Sequence, residues 1–478
     1  VPRPVTVRQD EPVRRILIYL FFDADGVVDE YVTHALRAFR DHVDFVFVVS
    51  NSPLTEDGRD RLEAVADLVW VRENVGFDAW AYKEALAVIG PDRLAGYDEV
   101  VLANYTFYGP VYPFGETFAR MDERPELDFW GLTAHKAVAA DPLDDASVAM
   151  HLHLQTHWIA VRRSMASSTE WAQYWEQLPA ISSYQDSVRR HEARFTEHFA
   201  NRGFEFAVAF PPEDYPVDHP VFDAVLPMLS NRCPIVKRRT FFLDPVLVDR
   251  TGVRPDRVLA AAEDAGYPVE LIRRNLIRTM PPRDLYTNLA MMSVLPDTPR
   301  AAPADPPRVC VLAHLFYPER VAALLADLAA IPVPFDLVVT TDTDAKRADI
   351  VLEVRKAGLA DADIRVIEPN DGWAESAFLV GCRDVLTSGR YDLVLKVHTK
   401  RSPRELYNNR DVIDRHTVEN LLASPGYVAN LLDLFAADPS LGMVFPPLLH
   451  LGVPTLGHYW RRLRGEAEQV AAQCGLRA

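Results

Sequence analysis

The sequence predicts an α/β protein built on open, mostly parallel sheets, and three observations carry that reading. Short apolar runs rich in β-branched and aromatic residues alternate with stretches of helical period, which requires crossover connections between parallel strands. The same order of runs returns late in the chain at offsets of 292 to 296 residues, matching Phe22 with Tyr317, Asp44 with Asp336, Asn74 with Asn370, and Tyr97-Asp98 with Tyr391-Asp392. Finally, 478 residues with 49% hydrophobic and 25% charged side chains have ordinary globular composition and exceed the size of one core.

The elements follow in order. Residues 1–14 read as a mobile arm. Arg15 to Phe22 is a continuous apolar run that suits a strand buried on both faces. Tyr31 to Phe39 reads as a helix, Asp44 to Val49 as a strand, Thr55 to Val65 as a helix capped by Thr55, and Leu68 to Val71 as a third strand. A helix over about Ala79 to Val88 and a strand over Glu99 to Ala103 complete the first series. The second series has strands at Arg308–Tyr317, Phe335–Thr340, Ile364–Ile367 and Leu393–Val397, with a helix over Arg320–Leu328. An internal duplication of a βαβ unit accounts for the matched anchors. Between the copies, Trp171–Tyr174 and Asp186–Asn201 read as helices, and Pro211–Pro220 and Cys233–Pro245 as loops with short strands. Five prolines between residues 296 and 307 mark a stiff linker. The expected layout is two Rossmann-type α/β units, 15–204 and 308–478, joined by a mixed helical and loop segment over 205–295 and that linker.

With 51 Lys+Arg against 68 Asp+Glu the formal charge is −17, which repels phosphate backbones and excludes a general nucleic-acid binder. Cys233, Cys310, Cys382 and Cys474 lie far apart, without the close pairs of a zinc site, and read as reduced thiols. No apolar run approaches a membrane span, and no signal peptide is read. The expected location is cytoplasmic, with peripheral contact at the inner face of the plasma membrane. Tyr459-Trp460-Arg461-Arg462-Leu463-Arg464 pairs aromatic and basic groups as interfacial helices do, although a helix docking on its own domain has the same composition.

In an open parallel sheet, ligands sit beyond the carboxyl ends of the strands. That places Phe22, Asn51, Asn74, Gly76, Asp78, Asn104 and Thr106 on one edge of the first unit. Asn51 and Asp78 could bond a base or ribose, and Gly76 lets backbone approach closely. Asp78 serves equally well as a helix cap, and Asn74 as a turn stabiliser. The set resembles the GT-A type of nucleotide-sugar glycosyltransferase, where an acidic triplet after the fourth strand carries Mg²⁺ or Mn²⁺. Here the triplet is Asn104-Tyr105-Thr106, without a carboxylate, which leaves metal dependence open.

A longer series resembles the rhamnan synthesis protein F family: Asn74-Val75-Gly76-Phe77-Asp78, Tyr97 through Asn104 into Tyr108-Gly109-Pro110, Asp128-Phe129-Trp130-Gly131-Leu132-Thr133, His153-Leu154-Gln155, Cys233 through Arg238, and Lys396-Val397-His398-Thr399-Lys400. The resemblance runs from about Arg15 to Trp460. It implies assembly of rhamnose-containing surface or cell-wall polysaccharide from a nucleotide-sugar donor, with dTDP-rhamnose favoured, inversion, and a lipid-linked glycan acceptor. Two departures matter. The family often has Asn-Asp-Ser at Asn104-Tyr105-Thr106, and Asn-Arg-Gly-Arg-Asp where this chain has Asn370-Asp371-Gly372-Trp373-Ala374, so the second copy is expected to be degenerate.

Sugar transfer needs a stabilised diphosphate leaving group and, with inversion, a base for the acceptor hydroxyl. Lys237 and Arg238 form, with Arg239, a compact basic cluster suited to phosphates. His398 and Lys400 follow the fourth strand of the second copy, where a cation could neutralise a diphosphate. Glu192 is the preferred base and Asp186 the other candidate. Trp130, Thr133, His153 and Gln155 are expected to face the acceptor. The other readings are a non-catalytic scaffold that binds polysaccharide or a partner transferase, and two copies acting on successive sugars.

Overall fold

A computed structural model describes residues 13–139, 149–298, 306–368, 373–401, 407–447, 449, 466 and 469. Most of the arm, the middle of the proline-rich segment, Asn370, Asp371, Gly372, the Tyr459–Arg464 stretch and Cys474 lie outside the described residues. The chain divides into two compact units between Met291 and Met292.

In the first unit the strands are β1 (Arg15–Phe21), β2 (Phe45–Ser50), β3 (Leu68–Val71), β4 (Glu99–Asn104), β5 (Phe107–Tyr108), β6 (Phe129–Gly131), β7 (Ala134–His135), β8 (His153–Leu154), β9 (Trp158–Arg162), β10 (Phe206–Val208) and β11 (Val236–Lys237). Seven of them form one sheet in the order β10-β6-β9-β4-β1-β2-β3. The β4-β1-β2-β3 part is parallel, and β9 enters antiparallel between β4 and β6. Successive side chains of a strand point to opposite faces, so β1 feeds two cores. Leu17, Tyr19 and Phe21 pack with Tyr31, Leu36 and Phe39 of the helix Glu30–Arg40, while Ile16, Ile18 and Leu20 pack with Ala79, Tyr82 and Leu86 of the helix Phe77–Ile89.

Residues 205–291 differ from the expected connector. They carry helices at Pro255–Asp264, Glu270–Thr279 and Pro282–Asn288, and Val258, Leu259, Ile272 and Leu276 join the core under β1 and β4. Apolar positions three and four apart on the first two of these helices supply the buried face that welds the segment to the first unit.

The second unit holds β12 (Val309–His314), β13 (Phe335–Thr341), β14 (Asp363–Val366) and β15 (Leu393–His398) in the order β14-β13-β12-β15, all parallel. This is the order β3-β2-β1-β4 over again. The entrance to each central strand is clamped in the same way. Arg14 N donates to Asp98 Oδ2 at 2.9 Å, and Arg308 N to Asp392 Oδ2 at 2.8 Å, each across 84 residues.

Candidate functional site

The turn after β3 is built by hydrogen bonds among the residues expected to meet the donor. Asn51 Nδ2 donates to Asn74 Oδ1 and to Phe77 O, both at 3.1 Å, and Asn51 Oδ1 accepts from Arg72 at 2.7 Å. Arg72 also holds Val75 O and the Glu84 carboxylate. Asn51 therefore spends its whole amide on the turn, and the exposed Asn74 its amide oxygen. Gly76 has φ +76°, and a Cβ there would fall 2.3 Å from the Trp80 ring, so glycine is required by the turn and by the indole packed on it rather than by a ligand's approach. Phe22 is half-buried, its ring 6.3 Å from that of Tyr105.

The chemistry gathers one strand further along. Asn104 Oδ1 accepts from Thr106 Oγ1 at 2.5 Å and from Thr106 N at 3.2 Å, and Lys237 Nζ donates to Thr106 Oγ1. β11 pairs antiparallel with β5, which lays Lys237 opposite Phe107 and brings Arg238 N to Thr106 O at 3.0 Å. Lys237 is buried, and burial pushes its ammonium down to about 7 against the pull of Glu192 and Asp78. Arg238 stands over Tyr31, Tyr105 and Phe242, 5.1 to 5.4 Å from the ring centres, and its Nε is buried without a partner. Among the described residues no carboxylate forms an ion pair with Lys237, Arg238 or Arg239.

Beside this pair lies a carboxylate cluster. Thr156 N and Oγ1 donate to Glu192 Oε2 at 2.9 and 2.7 Å, and Thr156 Oγ1 also lies 3.3 Å from Asp78 Oδ2. Ser187 Oγ donates to Asp78 Oδ1 at 2.7 Å, and Ala79 N reaches the same oxygen at 3.0 Å. Asp78 is thus both a first-turn acid of its helix and a link to the helix that carries Glu192. Glu192 ends a single π-helical turn over Val188–Glu192, a local widening that re-aims one side chain. Its Oε1 has no hydrogen-bond donor among the described residues.

Thr133, His153 and Gln155 are buried in a polar network. Thr133 Oγ1 donates to Gln155 Oε1 at 2.6 Å and lies 3.3 Å from His157 Nε2, while Gln155 Nε2 reaches His219 Nε2 at 2.7 Å. His153 stacks on His135, ring centres 5.4 Å apart. Burial holds His157 well below the ordinary imidazole range and pushes His219 down to about 3, so both are neutral near pH 7. The strand at His153 ends at Leu154, and a turn carries Gln155, Thr156 and His157.

Two expected positions fall elsewhere. Trp130 is fully buried and its indole donates to Glu99 Oε2 at 2.9 Å, inside a core that also takes Arg15 and Arg162 to the same carboxylate. It has no face for an acceptor. Asp186 is half-buried, accepts from Ser182 Oγ at 2.6 Å and lies 3.3 Å from Arg190, and the serine bond holds it below the ordinary carboxylate range, which makes it a poor base. Thr156, His157 and His219 were missed. The polar run from His151 to His157 was the available signal for Thr156 and His157.

A divalent ion at the triplet finds no fitting ligands. The loop offers no carboxylate, Asn104 Oδ1 is already engaged, and the Lys237 ammonium donates into the same hydroxyl, where it opposes a second cation. No group of three His, Cys, Asp or Glu arranged to hold a metal occurs among the described residues.

In the second unit His398 is the last residue of β15 and Lys400 follows it, at the edge that corresponds to the end of β4. Burial pushes His398 down to about 4, so it is neutral near pH 7, and the charges beside it are Lys396, Glu375 and Lys400. The cysteines at 233, 310 and 382 are buried and unpaired, and among the described residues no helix is long and apolar enough to cross a membrane.

A mixed sheet with its polar loops gathered beyond β1, β2 and β4 is an open α/β architecture of the kind that binds ligands at its strand ends. The model of the family described as rhamnan synthesis protein F matches residues 46–477. The chain belongs to that family. A curated relative, the uncharacterized protein y4gN of Sinorhizobium fredii, is 22% identical over 169 residues, which are 35% of this chain and 42% of the relative. The chain thus matches less than half the length of that protein. Among solved structures, the glycosyltransferase GlyE of Streptococcus pneumoniae aligns over 82% of this chain and 89% of its own at 9% identity and a TM-score of 0.25. Glucosyl-3-phosphoglycerate synthase from Mycobacterium tuberculosis aligns over 32% and 58% at 13% identity and a TM-score of 0.22. Likeness at that level bears on neither substrate nor activity.

Proposed function

We propose that the first unit is the catalytic centre of a glycosyltransferase that takes a nucleotide-activated sugar, with rhamnose as the transferred sugar, dTDP as its carrier and a growing lipid-linked surface glycan as acceptor. The observation that supports this most is the pair of cations, Lys237 and Arg238, set against the Asn104–Thr106 loop without a carboxylate partner among the described residues. Desolvated cations without counter-ions are costly unless an anion completes them. A leaving diphosphate fits that need.

In the displacement, the bond from the anomeric carbon to the diphosphate oxygen breaks with its electron pair on the diphosphate, which Lys237 and Arg238 neutralise. The acceptor oxygen forms the new bond on the opposite face and passes its proton to Glu192 Oε1, the oxygen that Thr156 leaves free. Thr156 and Asp78 hold the base rather than the sugar. Inversion follows from a single displacement, and no step requires a metal at the triplet.

Isothermal titration with dTDP and UDP, with and without Mn²⁺, tests the reading. Binding of one nucleoside diphosphate without Mn²⁺, weakened by Lys237→Ala, is expected. Absence of any nucleotide binding, or of sugar transfer from dTDP-rhamnose and UDP-sugars alike, rejects the transferase in favour of a scaffold.

A further inference from the structure

The second unit has its own cavity of about 520 Å³ at the carboxyl ends of its strands, bounded by His314, Phe316, Asp342, Glu375, His398 and Lys400. In the order β14-β13-β12-β15 the chain leaves β12 for one side of the sheet and returns to pair on the other, so the ends of β12 and β15 flank the point where a ligand crevice opens. Another bay in this unit lies by the opposite strand ends, and there Arg365 and Arg390 are already committed to Asp363, Asp384 and Asp336.

The walls are chemically mixed. Lys346 Nζ donates to Asp342 Oδ2 at 3.0 Å, and although Oδ1 is 2.8 Å from the same ammonium it has no directed hydrogen bond. Lys396 Nζ donates to Glu375 Oε1 at 2.8 Å, leaving the other carboxylate oxygen. His314 uses Nδ1 on Thr340 Oγ1, and His398 lies directly across from it on β15. The backbone N–H groups of Phe316 and Tyr317, which could have cradled a phosphate, both donate to Thr399 Oγ1 at 3.0 Å.

A phosphate needs donors and is repelled by carboxylates. Here the loop donors are used and two acids stand in the wall, leaving Lys400 as the one lining cation without an ion pair among the described residues. Sugar hydroxyls donate and accept at once, so carboxylate oxygens, neutral imidazoles and an ammonium side by side suit them. We propose that this cavity binds a neutral saccharide, a second glycan site distinct in chemistry from the diphosphate site of the first unit. It replaces the phosphate role expected of His398 and Lys400, and it stands whether or not the first unit transfers sugar.

The test is titration of the full chain, without nucleotide, with L-rhamnose, D-glucose, N-acetylglucosamine and inorganic pyrophosphate, followed by saturation-transfer NMR and calorimetry. At least one neutral sugar should bind, and Glu375→Gln and His398→Gln should each weaken it about tenfold or more, the loss expected for a hydrogen bond to a charged or desolvated group. Lys237→Ala should weaken dTDP and leave the sugar affinity alone. If Glu375→Gln does not fold by circular dichroism, the near-isosteric His398→Gln carries the test. Failure of every neutral sugar to bind, sugar binding untouched by the substitutions, or pyrophosphate binding abolished by Lys400→Ala overturns the proposal.

Discussion

The two units share a four-strand frame and differ in what surrounds it. β4 is buried along its whole length because β9 pairs with its outer edge, whereas β15, at the matching place in the order, is an edge strand with mostly half-exposed residues. The position that is Glu99 in β4 is Leu393 in β15, each reached from the matching Arg14 and Arg308 carbonyls. The first unit brings its cations to the sheet edge on and just after β11, from outside the frame, while the second draws its imidazoles from the ends of β12 and β15 and its acids from the turn after β13 and the helix Trp373–Leu379. A common frame therefore presents different chemistry at the same strand ends. The segments added to it decide the charge.

That comparison can be broken by substitution. Glu192→Gln keeps the hydrogen bonds to Thr156 and removes the base, so transfer should fall about 10²- to 10⁴-fold with donor affinity unchanged, read by steady-state kinetics beside calorimetry. An unaltered rate would move the chemistry to another residue. Glu99→Ala removes the buried carboxylate shared by Arg15 and Arg162, leaving both to the half-exposed Asp122, and should cost about 3–5 kcal/mol in denaturant unfolding, against about 1 kcal/mol for Leu393→Ala in the open edge strand. Equal losses would mean that the two edges are not as different as their burial.

Lys237→Ala should weaken the nucleoside diphosphate about tenfold to a hundredfold, the range of a charge-assisted hydrogen bond. The same lysine sets a pH dependence. Its folded value of about 7 lies below the ordinary 10.5, so the ammonium proposed to meet the diphosphate is present below pH 7 and is lost as pH rises through it. Donor affinity should decline from pH 6 to 8 in the native protein and stay flat in Lys237→Ala. For stability the sign is the reverse: the unfolded chain binds the extra proton between those two values, so this group's contribution to stability grows as pH climbs from 7 towards 10.5. The smallest effects belong to Asp98→Ala and Asp392→Ala, which cut the same exposed clamp in each unit and should lower the two units' melting by similar small amounts.

Much of the frame was legible because its central strands are continuous apolar runs, whose composition admits little but burial on both faces. The pairing of β9, β6 and β10 was not, since strands of three to five residues carry too little period to register against their neighbours. The same limit acted at the site. Lys237, Arg238 and Glu192 could be named from charge and spacing. Nothing local reveals that Asn51 and Asn74 bond each other, that the Trp80 ring rests on Gly76, or that Trp130 turns its indole inward to Glu99, because each depends on a partner set by the tertiary fold.

The lysine that serves the Asn104–Thr106 loop is encoded 131 residues after the threonine it touches. On a translating ribosome the parallel strands β1 to β4 therefore emerge long before the group that makes their edge attractive to anions. A nascent chain halted before β11 would lack both cations at that edge, so the anion site proposed there is completed only late in synthesis.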